Sequence, residues 1–186
     1  IPNAIGQYTR AADPYLRENR TFVEAVKARL PGYSETLFPK RDVWGEPIKR
    51  SAAARGEGTA GRLFSPARGA PDGRDKVTSE LMRLDLIPTK APRKMSGVEL
   101  TPAQYDTYQQ LTGRLSRRVM DQFVNGPLYD RLTDPARRAL ADSLMGTARK
   151  MARDMMGMQF PELARLAEQE KTGALLEGRK RETVEQ

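Results

Sequence analysis

A chain of 186 residues with 38% hydrophobic and 6% aromatic side chains against 30% charged ones has the length of one ordinary domain but little apolar surface to bury, so a compact globule of the whole length is not expected. Zero Cys and zero His remove disulfides, thiolate zinc sites, cysteine nucleophiles, serine triads and most transition-metal chemistry. The formal charge of +8, from 32 Lys and Arg against 24 Asp and Glu, favours phosphate backbones, anionic lipid heads or acidic protein surfaces without choosing among them.

The opening, Ile1-Pro2-Asn3-Ala4-Ile5-Gly6, has neither the charged nor the apolar region of a signal peptide. No apolar run approaches the roughly 20 residues that span a bilayer, so no transmembrane helix is expected. With no initiator Met, the chain is expected to begin inside a longer polypeptide or after a processing cut.

In chain order, Asp13-Pro14 reads as a cap followed by Pro at the first helical position. Phe22, Val23, Val26 and Leu30 form an apolar stripe before Pro31-Gly32, which predicts a helix ending there. Residues 31–76 then carry seven Gly, five Pro and nine Lys or Arg. Such a stretch cannot bury a core of its own and must be disordered or spread over a partner. A short helix is predicted around Val77 to Leu86, with Val77, Leu81 and Leu84 on one face, and Pro88 and Pro92 return the chain to an extended form.

The strongest local signal is Thr101-Pro102-Ala103-Gln104, a capping box with Pro at the first position. Tyr105, Tyr108, Leu111, Leu115, Val119 and Phe123 follow at helical spacing as far as Gly126-Pro127. A second long helix is predicted from Asp134-Pro135, with Leu140, Leu144, Ala148, Met151 and Met155 as its buried stripe before Gly157. Leu128, Tyr129 and Leu132 lie in the connection, and together the two helices predict an antiparallel hairpin. A last short helix, about Pro161 to Glu170, is expected to bury Leu163 and Leu166, and the tail beyond Gly173 is charged and expected to fray. The fold class is therefore mainly α, a helical hairpin plus short helices joined by long extended Gly/Pro-rich segments, with little or no sheet. Three regions follow: an N-terminal helix segment over 1–30, an extended basic linker and anchor region with one short helix over 31–97, and the hairpin with its terminal helix and tail over 98–186.

Gly56-Glu57-Gly58-Thr59-Ala60-Gly61 matches the dinucleotide fingerprint, but no strand delivers it and no helix receives a pyrophosphate, so it reads as linker. Asn19-Arg20-Thr21 reads as a chance glycosylation match. Met151 and Met155 read as core, with Met156 and Met158 as candidates for exposed contacts. The carboxylates show no metal spacing, and neither an enzyme nor a cofactor is expected.

Residues 40–76 hold nine Lys or Arg against five acids, a local +4, whereas residues 98–158 nearly balance at nine against seven. Arg41, Lys49, Arg50, Arg55, Arg62 and Arg68 are therefore the candidate phosphate contacts, with few aromatics nearby for base stacking. Arg114, Arg117 and Arg118 are a weak candidate for a recognition helix. Trp44, the single Trp, is flanked by Gly45 and Pro47 in an extended segment. It reads as an anchor pressed into a partner, together with Phe38 and Ile48, with docking back onto the chain's own helices as the alternative.

The order Ile1-Pro2-Asn3-Ala4, Asp13-Pro14, Leu30-Pro31-Gly32, Lys40-Arg41-Asp42-Val43-Trp44-Gly45-Glu46-Pro47 and Leu100-Thr101-Pro102-Ala103-Gln104-Tyr105-Asp106-Thr107-Tyr108 resembles the C-terminal region of bacteriophage internal virion or DNA-ejection proteins and related large polyvalent phage proteins. The resemblance implies a non-enzymatic structural module of a virion. It would assemble with portal, tail or other ejection proteins, as a homo-oligomeric ring or tube, to help deliver the genome into the host. The location implied is the particle interior or tail, with passage to the host envelope on infection. No active-site residues are carried over. The competing reading from the residues is a nucleic-acid-binding or packaging factor that contacts phosphates through the basic extended segment.

Overall fold

A computed structural model describes residues 13–19, 21–28, 32–49, 76–86, 88–169 and 171–172. The architecture is mainly α, built on one long helical hairpin. Helix α1 is Phe22–Lys27, α2 is Lys76–Arg83, α3 is Pro102–Val124 and α4 is Asp134–Gln159. Single 3₁₀ turns lie at Ser34–Thr36 and Tyr129–Arg131, and a final helix, α5, runs through residues 161–169. The sheet content is one two-stranded antiparallel ribbon, β1 (Lys94–Met95) and β2 (Val98–Glu99). Its turn residues Ser96 and Gly97 both have positive φ, as a tight two-residue hairpin turn requires.

The ends of α3 follow from local chemistry. Thr101 Oγ1 accepts the Gln104 N–H at 3.3 Å and Gln104 Oε1 accepts the Thr101 N–H at 3.0 Å, the reciprocal capping box expected from the sequence. Pro102 takes a first-turn position where no N–H is needed. At the other end Asn125 closes the last turn on Asp121 and Phe123 before Gly126-Pro127. The short connection folds α4 back on α3. Met120 and Val124 near the end of α3 share a core cluster with Ala141 and Met145 near the start of α4, while Tyr105 and Tyr108 share another with Ala152 and Met156. That pairing of ends makes the hairpin antiparallel. Helix α2 caps the turn end of the hairpin: Val77 and Leu81 enter the first cluster, Lys76 Nζ donates to the Val124 carbonyl at 3.1 Å, and Tyr129 Oη donates to Glu80 Oε2 at 2.7 Å. The β1–β2 ribbon, Ala91 and Leu100 close the opposite end with Leu163 of α5.

Several expectations are corrected here. Asp13-Pro14 does not open a helix. Asp13 accepts the Tyr15 N–H at 3.2 Å and both Nε (2.8 Å) and Nη2 (2.9 Å) of Arg17, so its carboxylate organises a turn into an extended segment. Residues 15–18 then pair with residues 38–49. Leu16 N donates to the Ile48 carbonyl, Lys40 N to the Leu16 carbonyl and Glu18 N to the Phe38 carbonyl, at 2.7–2.8 Å. The helix begins only at Phe22, where Thr21 and Glu24 supply a second capping box. Its Val23 and Val26 are exposed, and Leu30 and the side chain of Phe22 lie outside the described residues.

The buried stripe of α4 keeps Ala148 as expected but is otherwise displaced by one position. Ala141, Met145, Ala148, Ala152 and Met156 form the core face, all at 4% exposure or less, whereas Leu140, Met151 and Met155 are more than 40% exposed. Small side chains won because they let α4 approach α3 closely, and the same step of three and four residues fits both stripes. Met156, expected outside, is therefore inside, while Met158 is exposed as expected. On α5 the buried pair is Leu163 and Ala167, one turn apart, and Leu166 faces out.

Candidate assembly interface

Residues 37–49 form a strap across α3. The strap doubles back on itself, with Asp42 N donating to the Glu46 carbonyl at 2.9 Å and Ile48 N to the Lys40 carbonyl at 2.8 Å. Asp42 builds the tip: its Oδ1 accepts the N–H groups of Trp44 (3.0 Å) and Glu46 (2.8 Å), and its carbonyl accepts the Gly45 N–H. Gly45 has φ +77°, a conformation that other residues adopt only with strain. The tip rests directly on Gly113 of α3, where an added Cβ would lie 2.0 Å from the Trp44 carbonyl carbon and 2.2 Å from the Gly45 nitrogen. Glycine at 113 is thus a condition of the contact.

An ion pair locks the strap. Arg41 donates from Nε to Asp106 Oδ1 at 2.6 Å and from Nη2 to Oδ2 at 3.0 Å, and its Nη1 holds the Gly45 carbonyl at 2.9 Å. Gln110 adds a fourth bond, from Nε2 to Asp106 Oδ2. Both ionic side chains are about nine-tenths buried, where a bidentate pair with its remaining groups satisfied holds register well. Lys90 Nζ donates to the Arg41 carbonyl at 2.5 Å, and burial lowers its pKa. Burial pushes the Asp42 carboxyl up to about 6 in spite of the two N–H groups on it, because Oδ2 has no hydrogen-bond partner among the described residues. At Asp13 burial acts in the same direction, but the hydrogen bonds from Arg17, Ser34 and the Tyr15 N–H outweigh it and hold the carboxyl at about 2.

The structure therefore redistributes the expected site residues. Trp44 is 6% exposed and sits in the core cluster with Val77, Leu81, Met120 and Val124, under the guanidinium of Arg117 at 5.3 Å. It is an internal anchor, as is Ile48 at 8% exposure, which corrects the partner-anchor expectation for both. The physical reason is that α3 offers a polar face with a glycine gap, into which the strap fits. Phe38 stays 40% exposed and lines a cleft of about 220 Å³ with Glu18, Pro102, Tyr105, Asp106 and Gln109. Arg41 is consumed by Asp106 and is corrected as a phosphate contact. Lys49 is exposed. Arg50, Arg55, Arg62 and Arg68 lie outside the described residues, as does the Gly56–Gly61 motif. Arg117 is engaged by Asp121 and Trp44.

What the sequence reading missed is the opposite side of the hairpin. At about 100° per residue, Leu140, Leu144, Met151, Met155 and Met158 fall within an arc of about 60° on one flank of α4. The other flank carries Arg138, Asp142, Arg149 and Arg153, with Arg149 donating to Thr89. On α3 the same step puts the half-buried Leu111, Leu115 and Val119 on the side turned away from the strap. Among the described residues, the strap, α2 and residues 88–100 cover one face of the hairpin, and Leu140, Met151, Met155 and Met158 are exposed on the other. The signal was present in the sequence: two interleaved stripes on α4, one of Leu and Met and one rich in Ala, of which only one can face α3. Among the described residues, no three acidic groups converge as a metal site and no helix is long and apolar enough to cross a membrane.

Comparison of the chain with protein-family models, curated proteins and solved structures gives no match.

Proposed function

We propose that this chain is a non-enzymatic assembly module of a virus particle, a structural component of the internal virion or DNA-ejection type that seats against other virion proteins and helps deliver the genome. The observation that carries this reading is the bare flank of the hairpin, where Leu140, Met151, Met155 and Met158 stand between 42% and 81% exposed on a helix whose core face is already filled. A contiguous apolar flank on an otherwise charged chain marks an interaction surface. Two further features fit. The strap fixes the module's own shape with an ion pair and a glycine contact, and a formal charge of +8 suits a protein packed beside DNA. The virion part of the proposal rests on the sequence resemblance.

Mass spectrometry of purified virions from the source of this sequence tests it. The chain, or the longer protein that contains it, is expected in stoichiometric amount. Glu at both 151 and 155 is expected to lower its copy number in the particle and the efficiency of genome delivery together. Purified virions that lack the chain overturn the reading.

A further inference from the structure

We infer that the bare flank of α4 is a self-complementary surface whose occupant is the same flank of a second copy, related by a twofold axis with the two α4 helices antiparallel. The inference rests on reading this flank as an assembly surface, and it adds the partner and the geometry. Three observations carry it. The first is spacing. Leu140 and Met155 are symmetrically placed about a point between Thr147 and Ala148, and so are Leu144 and Met151. An antiparallel pair centred there sets each Leu against a Met of the other copy, and an isologous contact requires that i meets j wherever j meets i. Thr147 is exposed beside that point, while Ala148 belongs to the core face against α3.

The second observation is charge. From Leu140 to Met158 no charged residue falls within the apolar arc; Arg138, Asp142, Arg149 and Arg153 occupy the other flank, and Asp154 and Lys150 lie about 40° and 80° outside the arc on its solvent side. A partner with an acidic or basic face would leave its charges unpaired against this stripe, whereas a second copy brings an equally neutral one. The third is the rim: Leu111 and Leu115, which pack against the second core cluster yet stay half-buried, and half-buried Val119 widen the apolar surface of α3 on the side turned away from the strap, so that two copies would bring four helices together around a shared seam.

The surface is small, so the pair is expected in the micromolar range. Each copy carries +8, so association should tighten as salt screens the repulsion. Phosphate binding would instead weaken with salt.

Sedimentation of the full chain from about 1 to 200 µM, a range that brackets a micromolar Kd, tests the proposal. Leu140→Lys alone and Met155→Glu alone should each raise the dimer Kd by about tenfold or more, because an unpaired charge is then buried in the seam. The double variant L140K/M155E, in which the Lys of each copy meets the Glu of the other to give two pairs per dimer, should return it to within about threefold of the parent. Circular dichroism and Trp44 fluorescence establish that each variant is folded. A monomer over the whole range, or a dimer indifferent to both single changes, overturns the use of this face. Singles that weaken the dimer with no recovery in the double overturn the antiparallel register. A chain that dimerises in this way yet is missing from virions keeps this inference and removes the virion reading, and a monomeric chain found in virions does the reverse.

Discussion

The two faces of the α3–α4 hairpin are built from opposite materials. Under the strap, Asp106 and Gln109 are buried at 6% exposure or less, polar residues that on a lone amphipathic helix would face water. On the other side Leu140, Met151 and Met155 are exposed. The difference teaches that burial in this molecule is assigned by the strap. Where thirteen residues of extended chain bring a bidentate ion pair to Asp106, a polar helix face becomes interior. Where no described residue arrives, an apolar face stays open.

The comparison is broken most severely at Gly113. Gly113→Ala places a methyl about 2 Å from strap backbone, which no rotamer change can relieve, so the strap must lift. A loss of 3 kcal/mol or more, at roughly the top of the usual overpacking range, is expected in urea unfolding. Trp44, as the single Trp, should report it by a red-shifted emission in the native baseline. Unchanged emission would mean that the strap does not need this gap. Next is Arg41→Ala, which leaves Asp106 buried with Gln110 as its remaining side-chain donor and should cost about 3–5 kcal/mol. Most of that should return in R41A/D106A, because the penalty is the orphaned charge rather than the lost bond.

A smaller effect is expected from pH at the strap tip. Asp42 has its carboxyl at about 6 in the fold against an ordinary value of 3.8, so the folded state holds its proton more tightly than the unfolded chain. The stabilisation from the neutral acid is complete below pH 4 and is lost as pH rises through 6. Asp13, held at about 2, acts in the opposite sense only below pH 4. Asp42→Asn keeps an oxygen for the Trp44 and Glu46 N–H groups, and should flatten the stability profile between pH 4 and 6 and raise stability at pH 7.5. A slope that survives the change would assign it to another group. The smallest effect belongs to the bare face: Met151→Gln should shift monomer stability by less than about 0.5 kcal/mol, since Met151 is 47% exposed. A shift several times larger would place that side chain inside the fold.

How much of this could be read from the residues follows from the range of each interaction. The capping box at Thr101 and Gln104 and the Gly126-Pro127 stop are local chemistry, and they marked the ends of α3. Asp13-Pro14 carries the same local signature, yet Asp13 is taken by Arg17 and Tyr15, a competition that capping rules do not see. The burial of Asp106 was out of reach because it depends on Arg41, 65 positions away. For the candidate interface the sequence held the Leu and Met stripe of α4 but not its direction. Periodicity places residues on faces, and only the packing of Ala141, Ala148 and Ala152 against α3 decides which face is inward.

The strap's position in the chain has a consequence for synthesis. Trp44 leaves the ribosome well before its seat: Gly113 is 69 positions later. At about 5–20 residues per second, the strap waits on the order of 3–14 s with its Trp and Arg41 uncommitted before α3 exists to receive them. The last part of this face to be made completes the first, and a chain arrested before residue 113 would display an apolar tip that the finished protein conceals.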